Sequence, residues 1–83
     1  MNNENNILWK KVLGEIETEV SKGQFLTLFK PTSLLSLEGK IASIAVPSNM
    51  IINMLQKRFY QMIKKAVDKH TNRDIKIIFV PKI

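Results

Sequence analysis

The chain of 83 residues has no cysteine, which removes disulfides and thiolate metal sites together and is compatible with a reducing cytoplasm. Three glycines are too few and too scattered for a phosphate-cradling loop, and no Gly-x-x-Gly clamp occurs. The single histidine, His70, has neither a nucleophile nor an acidic cluster in its neighbourhood of sequence, so no catalytic constellation and no metal site can be assembled, and no enzyme activity or cofactor is expected. No apolar run approaches the roughly 20 residues that cross a bilayer, so no membrane partner is expected. The opening Met1–Asn6 stretch lacks the basic and apolar blocks of a secretory signal. These absences describe a soluble, cytoplasmic binding domain.

What is present is a balanced apolar and basic composition. Thirteen Lys and Arg against seven Asp and Glu give a net charge of +6, which favours approach to polyanions but also serves solubility alone. A chain this short is one domain, residues 7–83, behind an Asn-rich tail over 1–6 that is expected to fray.

Periodicity sets out the elements. Over residues 6–22, Trp9, Val12, Leu13, Ile16 and Val20 share a helical stripe, with Asn5 or Asn6 as the cap and Lys22-Gly23 as the stop. Residues 24–30 form a second, short helix ended by Pro31, with Phe25, Leu28 and Phe29 on one side and Thr27 on the other. Glu38-Gly39 reads as the turn of a hairpin. On its second strand Ala42, Ile44 and Val46 form the core face, whereas Leu34, Leu35 and Leu37 cannot all face one way and leave the first strand's register open. Pro47 stops the strand and Ser48 caps a long helix over 49–69. A last strand, residues 74–80, is stopped by Pro81. The order α-α-β-β-α-β predicts an α+β fold, a three-stranded sheet with helices packed beside it, with a parallel crossover through the long helix available to the third strand.

The long helix holds the sharpest functional signal. At about 100° per residue, Ile52, Leu55, Phe59, Ile63 and Ala66 fall on one face, with Ile51 and Met62 at its edge. Met50 and Met54 fall opposite, in line with Lys57, Gln61, Lys64 and Asp68. Two large flexible apolar side chains turned from the core either fold over the second helix or face a partner. Lys57, Arg58, Lys64, Lys65 and Lys69 give the same helix a basic side, which is either a solvated face or a weak contact for single-stranded DNA. Trp9 lies on the first helix's core stripe, and one exposed edge would let it also serve self-association, widened by Ile7 and Leu8.

Trp9, Gln24-Phe25-Leu26-Thr27-Leu28, Pro31, Leu37-Glu38-Gly39, Ile44, Val46-Pro47-Ser48-Asn49-Met50, Arg58-Phe59-Tyr60 and Ile75 to Val80 occur in an order and spacing that resembles the N-terminal domain (domain I) of the bacterial replication initiator DnaA. The likeness runs from about Ile7 to Val80. It implies a KH-like fold and a protein–protein interaction module that self-associates as a weak homodimer, helps load the replicative helicase and docks initiation regulators. The alternative, from a different class, is a small basic single-stranded nucleic-acid-binding module. In the family's longer chains the ATPase and duplex-DNA-binding domains lie further along, so neither activity is carried over. Carried onto this sequence, the docking surface falls on Gln24, Thr27, Leu28, Asn49, Met50, Asn53 and Met54, and the self-association contact on Trp9. Family members commonly have Phe at the position of Met50, Trp at that of Leu28 and an acidic residue at that of Gln24.

Overall fold

Apolar side chains at helical spacing in the helices, and at alternate positions in the strands, assemble around one sheet. The computed structural model describes residues 3–82. Helix α1 is Asn3–Glu17, and α2 covers residues 22–29, α-helical over Lys22–Gln24 and π-helical over Phe25–Phe29. Strands β1, Ser33–Glu38, and β2, Ile41–Val46, form the expected hairpin, with Gly39 in the left-handed region at φ 59°. Helix α3 covers residues 49–71, and β3 is Lys76–Pro81. The sheet runs β1-β2-β3, antiparallel in the first pair and parallel in the second, so α3 is the crossover.

Several boundaries differ from expectation, among them the last strand, which spans Lys76–Pro81 rather than residues 74–80 and takes in the proline expected to stop it. Of the tail expected over 1–6, Met1 and Asn2 lie outside the described residues, while Asn3–Asn6 form the first turn of α1, where Glu4 suits the positive end of the helix dipole. Gly23 does not terminate α1. Ser21 caps α2 through a reciprocal box, its Oγ accepting from Gln24 N–H at 3.1 Å and its N–H donating to Gln24 Oε1 at 3.2 Å, which places Gly23 inside α2. Helix α3 runs past Lys69 to Thr71, and Asn72 then turns the chain at φ 57°. Ser48 caps α3 as expected, accepting from Ile51 N–H at 3.2 Å.

The core lies between the helices and one face of the sheet. Ala42, Ile44 and Val46 of β2 are buried with Leu34 of β1 and Ile77 of β3, against Trp9, Val12 and Ile16 of α1 and Leu55, Phe59, Ile63, Ala66 and Val67 of α3. Phe29 and Phe59 meet edge to face at 5.3 Å, joining α2 to α3. The open register of β1 resolves into a bulge between Leu34 and Ser36, which sets Leu34 and Leu37 on the core side and turns Leu35 out.

Helix α3 is not uniform. Its middle, Leu55–Phe59, is π-helical, and Phe59 leaves helical geometry at φ −123°, ψ 2°. Leu55, Phe59, Ile63 and Val67 are all buried at successive four-residue steps. In an even helix each such step drifts by about 40°, and the extra residue of a π turn takes up part of that drift. The turn also breaks the predicted outer line. Met50 and Met54 lie toward α2, whereas Lys64 and Asp68 turn onto β3.

Strand β3 pairs with β2 on one side, Lys76 N–H donating to Lys40 C=O at 2.7 Å and Lys82 N–H to Val46 C=O at 2.8 Å. On its other side α3 supplies the partners: Ile75 N–H donates to Asp68 Oδ1 at 2.8 Å, Ile77 N–H donates to the Tyr60 hydroxyl at 3.2 Å, and Ile75 C=O accepts from Lys64 Nζ at 2.8 Å. Pro81 has no N–H to leave unpaired.

Candidate docking groove

The capped starts of α2 and α3 bring their first turns side by side, and the apolar side chains there leave a groove of about 290 Å³. Leu28, buried and part of the core, forms its floor. Ile51 and Met54 form one wall, half-buried against the same core, and Met50 stands above them 70% exposed. Thr27, Gln24 and Gly23 form the opposite rim. Gly23 presents open space where a side chain would begin, and its φ is not in the left-handed region, so the groove is wide at that point for steric reasons alone. Gln24 Oε1 is held by the Ser21 amide, which leaves its NH₂ free to donate to an occupant. The lining is almost wholly apolar, suited to an apolar knob or an amphipathic helix.

Five of the seven expected docking residues, Gln24, Thr27, Leu28, Met50 and Met54, therefore meet in one groove. Asn49 and Asn53 do not line it and are exposed elsewhere on the first turns of α3. Gly23 and Ile51 were missing from the expected set. Ile51 was legible as the edge of the core stripe, but nothing local marks Gly23 as a rim.

A model of the DnaA N-terminal domain family matches residues 6–69 of this chain. The chain belongs to the DnaA N-terminal domain family. A curated relative, the chromosomal replication initiator protein DnaA of Thermomicrobium roseum, is 35% identical over 72 residues, which is 87% of this chain and 16% of the relative. The stretch matched to the DnaA N-terminal domain contains every groove residue and ends ahead of β3.

The residues expected to serve self-association of this DnaA N-terminal domain do not make one exposed patch. Ile7 is 56% exposed and Leu8 is partly buried, while Trp9 is 5% exposed. The Trp9 indole N–H donates to Thr32 Oγ1 at 3.0 Å, and that hydroxyl donates to Phe29 C=O at 2.5 Å. Trp9 thus ties α1 to the junction of α2 and β1, and its residual surface lies at the bottom of a second open groove shared with Ile7 and Leu13.

The basic side of α3 also divides. Lys57, Arg58 and Lys65 are exposed, with Arg58 5.5 Å from the centre of the Phe59 ring. Lys64 is spent internally on Asp74, Asp68 and Ile75 C=O. Hydrogen bonding to Asp74 and then Asp68 holds its ammonium above the usual lysine range, and the Lys64 hydrogen bond in turn holds the Asp74 carboxyl below the usual range. Lys69 pairs with Glu15 at 3.1 Å across α1 and α3, and His70 Nε2 lies 3.3 Å from the same Glu15 oxygen. The Lys69 hydrogen bond, reinforced by the charges of Lys69 and His70, holds Glu15 below its usual range. Among the described residues no helix is long and apolar enough to cross a membrane.

Proposed function

We propose that the domain is a non-catalytic protein–protein interaction module of a cytoplasmic replication initiator, docking the replicative helicase and initiation regulators in the groove between α2 and α3. The observation that carries this reading is the meeting of Met50, Met54, Ile51, Thr27 and Gln24 around the buried Leu28, a shaped apolar recess with exposed Met at its lip. Met adapts its shape to different partners, which suits a site that must accept more than one.

Two substitutions test it from opposite sides. Met50→Glu puts a charge at the lip, and Gly23→Leu builds into the open rim, where the added Cβ meets no neighbouring atom. Both are expected to abolish binding to the replicative helicase in a titration, while unfolding free energy changes by no more than about 1 kcal/mol, as for exposed sites. Helicase bound equally by both variants would remove the groove from consideration.

A second reading, weak binding of single-stranded DNA, is favoured by the exposed Lys57, Arg58 and Lys65, none of which has an ion-pair partner among the described residues. Affinity that falls steeply as salt is raised, and that is lost in Lys57→Glu/Lys65→Glu, would place it ahead of the groove.

A further inference from the structure

With no cysteine in the chain, methionine carries all of its sulfur, and sulfur is what dilute peroxide oxidises in a protein. The four methionines differ in access. Met1 lies outside the described residues. Met54 and Met62 are half-buried and packed against the core. Met50 is 70% exposed, the most open large apolar side chain among the described residues, and is not among those that pack the core. It stands in the first turn of α3, above the groove wall formed by Ile51 and Met54. The two sulfurs of the groove therefore meet a dissolved oxidant on unequal terms.

We propose that Met50 is a site of reversible oxidation by hydrogen peroxide, and that its sulfoxide closes the groove to partners. The effect on partners rests on the groove reading above; the chemistry does not. A lone pair on Met50 Sδ attacks one peroxide oxygen, the O–O bond breaks, and water leaves as the sulfur gains a single oxygen. Two electrons pass from sulfur to peroxide. A methionine sulfoxide reductase reverses the step, removing the oxygen as water while two of its thiols become a disulfide.

The change at the lip is one of kind. A thioether is a weak acceptor that buries readily, whereas a sulfoxide oxygen is polar and holds water. A partner seated over the lip would have to strip that water and set the oxygen against a lining that is almost wholly apolar. The polar side chains of the groove, Gln24 and Thr27, stand on the opposite rim. The fold is spared, because the core is packed without Met50 and the Ser48 cap is made to Ile51 N–H.

Dilute hydrogen peroxide added to the 83-residue chain, followed by peptide mass mapping, reads the selectivity. Met50 is expected to gain its oxygen roughly tenfold faster than Met54 or Met62. Affinity for the replicative helicase is expected to fall roughly tenfold or more in step with Met50 oxidation, and to return after treatment with the reductases for both sulfoxide epimers. Met62→Leu, away from the groove, should keep that response. Met50→Leu should lose it, its affinity unmoved by peroxide whatever its starting value. Circular dichroism before and after oxidation checks the fold. Met54 or Met62 oxidised as fast as Met50, undiminished affinity once Met50 is oxidised, or a peroxide response that persists in Met50→Leu would each overturn the proposal. Met50→Glu without peroxide separates the two readings. Binding lost there but kept on oxidation overturns the oxidation site alone, and binding kept in both overturns the groove as well.

Discussion

Thr32 is the one polar side chain buried among the described residues, and it holds two elements at once. It accepts from the Trp9 indole and donates to Phe29 C=O, so its hydroxyl uses both its capacities in the space of one side chain. Thr32→Val keeps the shape but leaves the buried indole N–H without a partner, which should cost about 1–3 kcal/mol in urea unfolding. Thr32→Ser, retaining the oxygen, should recover most of that loss. Trp9 itself is legible in the sequence, because it repeats with Val12 and Ile16 at helical spacing. Thr32 is not, because its partner lies 23 positions away and nothing near it distinguishes it from the exposed Ser33. Met50 is legible for the converse reason, as an apolar side chain out of phase with its own helix.

At the scale of elements, local rules read well and packing-dependent ones do not. The Ser48 cap, the Glu38-Gly39 turn and the alternation of β2 depend on a few adjacent residues, and each appears where expected. The π turn of α3 and the bulge of β1 exist to bring Phe59 and Leu37 to a shared core, so they answer to distant side chains rather than to neighbours. The same holds for the polar ties of α3. Lys64 and Asp68 look like an ordinary exposed i,i+4 pair until β3 arrives beside them. These ties give a signed pH response. Asp74 and Glu15 titrate lower folded than unfolded, so their stabilisation is complete above their unfolded values near 4 and declines as pH falls through the folded ones. Lys64 titrates higher folded, so its share is complete below its unfolded value near 10.4 and declines as pH rises through the folded one. The thermal midpoint should therefore form a plateau between the two limbs. Glu15→Gln together with Asp74→Asn should flatten the acid limb while leaving the neutral plateau the lower for the lost pairs, as followed by thermal denaturation across pH.

Across the whole molecule, the groove and the outer sheet face share no residue. One is built from helix starts, the other from strand middles, and the core lies on the helix side of the sheet. Substitutions on the two surfaces should then act additively. Glu38→Lys should leave helicase affinity within about threefold, the tolerance expected of independent sites. Coupling larger than that, in either direction, would mean that the two surfaces report on one conformational equilibrium.

The treatment of β3 decides what kind of assembly this sheet permits. A small sheet with an uncovered apolar face and an open edge is a template for runaway strand addition. Here Asp68 and Tyr60 occupy the amides of Ile75 and Ile77 on that edge, and Pro81 offers none. An incoming strand would have to displace two α3 side chains and still find a gap at the proline. On this edge Ile75, Ile77 and Pro81 offer an incoming strand no free donor, which disfavours lengthening the sheet from β3.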